Sequence, residues 1–222
     1  MKYRLLSHLL KKDSPRPPAI PAPETARYLD IATGGGNVFT VKFTTHSGTH
    51  IDAQAHVVDG GTEIACFPIE SFVFERPLLL DLNTGDEHLF CPKDFEPWRE
   101  QILQCDLLLL RTGHQKWRDV EPARYINQNP GFTVACAEYL YVNYPNLRAI
   151  ALDTPSFSAL SALDEGMKAH VSFIGERKNF IIEDADLSGD HKGLRRVFAM
   201  PVFAEGWDSS PCTLVAEYGE SS

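Results

Sequence analysis

Short apolar runs, spaced by turn residues, set the pattern of this chain. Residues 77–82, 106–111, 149–153, 180–183, 197–203 and 213–218 each read as a strand. Leu107, Leu108, Leu109 and Leu110 form one unbroken apolar run, as in a strand covered on both faces. Residues 38–44 alternate with period two, which predicts a half-buried strand leading directly to His46. Helical periodicity is read at about residues 94–104 and 133–144, with Thr133 placed to cap the second after Pro130 and Gly131. Strands mixed with a few helices point to an α/β or α+β domain. No internal repeat or heptad array is seen. Residues 33–37 (Thr-Gly-Gly-Gly-Asn) are a turn without the spacing of a phosphate loop.

Pro15, Pro17, Pro18, Pro21 and Pro23 crowd residues 13–25 and predict an extended arm, because proline fixes φ and lacks a donor. Such an arm can cover a site or reach a neighbouring subunit. The expected organisation is therefore an N-terminal Pro-rich arm over residues 1–37 and one domain over residues 38–222.

Composition narrows the function classes. The chain has 222 residues and is 43% hydrophobic, enough for a sizeable core without covalent staples. Its formal charge of -9 argues against nucleic acid as a partner, which needs clustered Lys and Arg. No run is long enough to cross a bilayer. The apolar pairs Leu5-Leu6 and Leu9-Leu10 are interrupted by Ser7 and His8, and no cleavage site follows, so the start is not read as a signal peptide. Five cysteines without a CxxC pair suggest mostly buried thiols in a reducing, cytoplasmic compartment.

The chemistry concentrates in residues 46–56. Three of the eight histidines, His46, His50 and His56, lie there with Asp52. Imidazole and carboxylate are the ligands that Zn²⁺, Mn²⁺ and Fe²⁺ accept, and Asp52 has two oxygens with which to bridge two ions. Gly48 allows the backbone to bend so that several side chains converge. The spacing is not HExxH, so a zincin helix is not indicated. Ser47, His50 and Asp52 have the residue types of a serine triad. They are crowded into six residues, however, and GxSxG is absent. His114, alone in a loop, is left outside the catalytic set.

The segment His46-Ser47-Gly48-Thr49-His50-Ile51-Asp52-Ala53-Gln54-Ala55-His56 resembles the HxGTHxDxPxH signature of the cyclase-type metal-dependent hydrolases, which include bacterial kynurenine formamidase (arylformamidase) and isatin hydrolase. Gln54 stands where the signature has proline. His170-Val171-Ser172-Phe173-Ile174 and Ile181-Ile182-Glu183-Asp184 resemble the downstream pattern of the family, and the closing segment near residues 201–217 resembles its last strands. The resemblance implies an α/β fold of the swivelling β/α/β type, a single domain with a mixed, partly barrel-like sheet and few helices.

It also implies that His46, His50 and Asp52 hold one divalent metal, that Asp52 and Glu183 bridge to a second completed by His170, and that His56 moves protons. Zinc is the first expectation and manganese the other ion suited to such ligands. If the downstream alignment slips, Glu176 or Asp184 replaces Glu183. The implied reaction is hydrolysis of a small amide by metal-activated water, with an aryl formamide leading. Cyclic amide hydrolysis and a cyclase or dehydratase reaction on a small keto compound are alternatives, and a non-catalytic metal or ligand binder is another. The expected partner is a small molecule, with neither nucleic acid nor membrane, in a homodimer or homotetramer. No tryptophan precedes the motif, so Tyr28 or Phe39 is the aromatic residue available to hold an aryl ring.

Overall fold

The computed structural model describes residues 1–219. Its main sheet has nine strands. Eight of them run in the order Val73–Phe74, Leu194–Pro201, Ser209–Tyr218, His50–Asp52, Phe180–Glu183, Ala149–Leu152, Leu107–Arg111 and Pro77–Asp81, and the ninth, Lys2–Leu5, also pairs with Ser209–Tyr218. The last four of the order are mutually parallel and the other pairings are antiparallel. The sheet is therefore mixed, as expected.

The strands at the two ends of this order, Val73–Phe74 and Pro77–Asp81, are separated in sequence only by Glu75 and Arg76. Two residues span too little length to join distant edges, so the sheet must curl until its edges meet. Asp106 fastens this seam, accepting from the Glu75 and Arg76 amides at 2.9 Å each. The result is a nearly closed, barrel-like sheet in a single α/β domain.

Period-two alternation decides what lies inside it. Leu107, Leu109, Ala149, Ala151, Ile51 and Ile182 pack within the barrel. Leu108, Leu110, Ile150, Leu152 and Ile181 pack on the outer face with residues of two helices, Val134–Asn143 and Leu163–Ile174. The unbroken leucine run is thus covered on both faces.

Thr133 caps the first of these helices by accepting from the Cys136 amide at 3.1 Å. The helix expected at residues 94–104 is broken into the turns Pro92–Phe95, Glu96–Trp98 and Arg99–Ile102, because Pro97 has no N–H to continue the ladder. The Leu163–Ile174 helix was not expected. Its inward face carries Gly166, Ala169, His170 and Phe173. A Cβ on Gly166 would sit 2.4 Å from the Ser158 side chain, so this glycine is what lets the helix lie close enough to present His170.

Residues 1–37 are not one arm. Lys2–Leu5 belongs to the main sheet, and Glu24–Leu29 pairs with Val38–Lys42 in a separate two-stranded ribbon. Every residue of both ribbon strands is exposed. The half-buried strand expected at 38–44 is therefore corrected: the strand exists, but no other described element covers either face. Only the proline-rich stretch between these elements behaves as an arm, with Pro17, Pro18 and Ile20 lying over the histidine cluster. Among the described residues no helix is long and apolar enough to cross a membrane.

Candidate metal centre

The motif folds as a tight turn followed by a three-residue strand. Gly48 sits at φ 65°, a conformation that favours glycine, and its carbonyl accepts from His50 Nδ1 at 2.8 Å. Ser47 closes the turn, its Oγ accepting from the Thr44 amide at 3.1 Å and lying 3.0 Å from Thr44 Oγ1. The Ser47 hydroxyl is thus a turn element and does not partner a histidine, which removes the serine-triad reading.

The strand His50–Asp52 lies between Phe180–Glu183 and Ser209–Tyr218, with His50 directly opposite Glu183. Ile51 points into the barrel. Alternation therefore sends His50 and Asp52 to the other face, beside Glu183. His170 reaches the same face from the covering helix. His50 Nε2 lies 3.6 Å from Asp52 Oδ1 and 3.4 Å from Glu183 Oε2. His170 Nε2 lies 3.3 Å from Glu183 Oε1, and His46 Nδ1 is 3.2 Å from Asp52 Oδ1.

Two backbone carbonyls set the imidazole tautomers. A carbonyl can only accept, so the Nδ1 atoms of His50, on Gly48, and of His170, on the Gly166 carbonyl at 2.9 Å, carry the protons. Each Nε2 lone pair is then aimed at carboxylate. Glu183 Oε1 is held by the Phe157 amide at 2.7 Å and by Ser156 Oγ at 3.2 Å. His50 Nε2 and both Asp52 oxygens are buried and have no hydrogen-bond partner among the described residues. Buried polar atoms without partners are costly. Here they converge as nitrogen and oxygen donors without thiolate, the set that divalent transition metals accept. His50, Asp52 and Glu183 form one group with ligand atoms within 4.8 Å of one another, and His46, Asp52 and His56 form a second. These residues fit a divalent ion.

The electrostatics agree. Burial pulls the His46 imidazole down, but the Asp208 and Asp52 carboxylates outweigh it and raise its pKa to about 10. Burial likewise opposes protonation of His50 and His170, and Asp52 and Glu183 reverse it. Burial pushes the Glu183 carboxyl up, yet the His170 and His50 imidazoles beside it hold it well below its usual value. All these shifts report an excess of negative charge that a proton or a metal cation neutralises.

Asp208 is the residue that sequence reasoning missed. Its Oδ2 lies 3.1 Å from both His46 Nε2 and His56 Nδ1, and its Oδ1 accepts from Thr45 Oγ1 at 3.0 Å. The hydrogen bonds from His46 and then His56 hold its carboxyl far below the usual range. Orienting carboxylates of this kind tune metal ligands and bases. Asp208→Asn is expected to keep the fold and reduce metal affinity or turnover by roughly 10–100-fold, measured by metal titration and steady-state kinetics. Unchanged values in both would show that the contact is incidental.

The other candidates resolve by position. Asp184 turns away to a buried pair with Arg118, at 2.7 Å to each oxygen, and accepts from Tyr125 at 2.7 Å. Glu176 is exposed and accepts from Tyr141 at 3.0 Å. Glu183 is therefore the carboxylate at the centre. His114 is buried elsewhere, donating from Nε2 to the Tyr125 carbonyl at 3.0 Å. Gln54 bridges two backbone segments, accepting from the Thr62 amide at 3.0 Å and donating to the Gly175 carbonyl. Tyr28 and Phe39, 72% and 50% exposed on the ribbon, do not line the cavity over the centre.

Comparison with known proteins gives a consistent picture. Residues 5–159 match the family model Cyclase, described as "Putative cyclase". An uncharacterized protein of Haemophilus influenzae is 33% identical over 117 residues, covering 53% of this chain and 82% of that protein. Kynurenine formamidase of Bacillus cytotoxicus is 26% identical over 184 residues, covering 81% of this chain and 79% of that enzyme. The chain spans 64% of the length of Arabidopsis thaliana cyclase-like protein 2, at 25% identity. Isatin hydrolase A from Labrenzia aggregata, solved with benzyl benzoate, superposes with a TM-score of 0.79 at 20% identity, covering 97% of this chain and 93% of that one. At that identity the likeness is one of fold.

Proposed function

We propose, for a chain that belongs to the cyclase family, that it is a metal-dependent hydrolase of small amides, with an aryl formamide as the leading substrate. The observation that carries this reading is the set of buried ligand atoms without partners among the described residues, His50 Nε2 and both Asp52 oxygens, beside a cavity of about 480 Å³ lined by His46, His50, His56, His170 and Glu183. His46, His50 and Asp52 would hold one divalent ion, and Asp52, Glu183 and His170 a second. Zinc and manganese both suit this nitrogen and oxygen set. A bound ion supplies Lewis acidity to the amide carbonyl and brings the pKa of water toward neutrality.

The protein's own groups supply the rest. Asp208 takes the His56 Nδ1 proton as its hydrogen bond, which leaves Nε2 free to accept a proton from the attacking water. The same atom returns that proton to the departing nitrogen as the C–N bond breaks. The products are a carboxylate and an amine. Pro17, Pro18 and Ile20 wall the cavity and limit bulk water. The kynurenine formamidase relative supports amide hydrolysis. The exposed ribbon, with Tyr28, Ile31, Phe39 and Val41 on its surface, supports burial against a second copy in a homodimer or homotetramer, because an isolated two-stranded ribbon is marginal in water.

The test is elemental analysis followed by turnover of formanilide, N-formylkynurenine and isatin with metal-replete protein. The expected result is at least one bound transition metal per chain and hydrolysis of a formamide. Hydrolysis of isatin alone would move the reaction to cyclic amides while the centre stands. Full metal loading with no turnover of any probe would overturn the amidase reading.

A further inference from the structure

The cavity over the centre is of the size that small-molecule sites have. Its walls away from the imidazoles and Glu183 are largely aliphatic, with Pro17, Pro18 and Ile20 from the arm and Leu160, Leu163 and Met167 from the covering helix and the turn before it. Among the described residues, no lysine, no arginine and no aromatic ring other than imidazole lines it.

The three polar lining residues outside the centre are already engaged. Asn129 Nδ2 donates to the Pro130 and Ser158 carbonyls at 3.0 and 2.8 Å, and its Oδ1 accepts from the Leu160 amide at 3.1 Å. Ser156 Oγ donates to Glu183 and accepts from the Ser158 amide at 3.1 Å. Ser158 Oγ lies 3.2 Å from His170 Nδ1. A carboxylate seated on these walls, away from the centre, sheds its water and meets no lysine or arginine and no donor beyond the Ser158 hydroxyl. An ammonium meets no aromatic face. The lining carboxylate, Glu183, already accepts from the Phe157 amide and Ser156 Oγ and lies 3.3 Å from His170 Nε2.

Resting on the hydrolytic reading above, we infer that this site takes neutral, apolar amides and rejects amides bearing an ionised group. The accepted class is a formamide or cyclic amide whose remaining part is an uncharged hydrocarbon ring or chain. Amino-acid amides such as N-formylkynurenine carry two charges for which the walls hold no partner. Met167, 39% exposed at the open edge of the cavity, is the wall residue where a counter-charge is missing.

The test uses the metal-replete full chain and probe pairs that differ only in charge. Formanilide is expected to be hydrolysed with kcat/KM at least about 100-fold above that of 4-formamidobenzoate, because the latter must desolvate its carboxylate. Calorimetric titration with acetanilide and 4-acetamidobenzoate reads binding without requiring turnover. Acetanilide is expected to bind at least about tenfold tighter. Met167→Lys, at a half-exposed position that tolerates a charge, is expected to close or invert that ratio without changing metal content. Equal or tighter binding of 4-acetamidobenzoate by the wild-type protein, or no binding of either probe, overturns the inference. Acetanilide binding without formanilide hydrolysis supports the inference and overturns the hydrolytic reading instead, so the two failures are separable.

Discussion

Asp52→Asn is expected to yield a folded protein that binds no divalent metal and loses at least about 10³-fold in turnover, the scale of several kcal/mol of lost electrostatic stabilisation. Asp52 is 1% exposed and neither of its oxygens has a hydrogen-bond partner. It belongs to both candidate ligand groups, so its loss damages each. The substitution keeps the side-chain shape but removes a buried charge that, despite its desolvation, His50 and His46 hold ionised below its usual range in the metal-free protein. Metal-free Asp52→Asn should therefore melt at or below metal-free wild type. Metal should stabilise only the wild type, by about 4 kcal/mol at a thousandfold excess over Kd, or roughly 8–16 °C for a domain of this size. Thermal melts with and without metal, together with mass-spectrometric metal content, measure both effects. Wild-type metal stoichiometry in the variant would refute the assignment of the centre.

His56→Ala is expected to retain metal and lose about 10²–10⁴-fold in turnover, the usual contribution of a positioned acid–base group. His56 lies in the same cluster as His46 and Asp52, with its ring 4.3 Å from that of His46. Distance alone therefore leaves room for a ligand role. Its Nδ1 is engaged with Asp208, which leaves one nitrogen for chemistry. Added imidazole should restore part of the activity of the variant if the lost function is proton transfer, since a free imidazole can enter the space left. Loss of metal in step with loss of activity would make His56 a ligand.

The legible and illegible parts of this protein separate by the range of the interactions that define them. The segment from His46 to His56 was readable because its ligand chemistry is dense within eleven residues and follows an open strand pattern. His170 and Glu183 came only through family resemblance, and no helix was read around His170, which stands on Leu163–Ile174. That helix was hidden because its buried face is built from Gly166, Ala169 and His170, while Leu163 and Met167, which line the cavity, and Val171 are 48%, 39% and 47% exposed. An apolar stripe that lines a cavity and a surface does not look like a core stripe. The ribbon misled in the opposite sense, since its alternation predicted a buried face that no described element covers.

By itself, the sequence determined six of the nine main-sheet strands and the ligand chemistry of residues 46–56. Alternation sorts Leu107 from Leu108 and Ala149 from Ile150 between the two cores, and His, Asp and Gly at close spacing limit what a segment can bind. Only the tertiary structure decided which distant carboxylates lie beside that segment. Glu183 meets His50 through strand register, Asp184 is turned by a φ of 53° toward Arg118, and Asp208 reaches His46 across 162 residues. Nothing local distinguishes these acids among the thirty in the chain. Their roles arise from hydrogen-bond register and sheet closure, whose free energy is spread over the whole barrel and leaves no mark on the residues beside them.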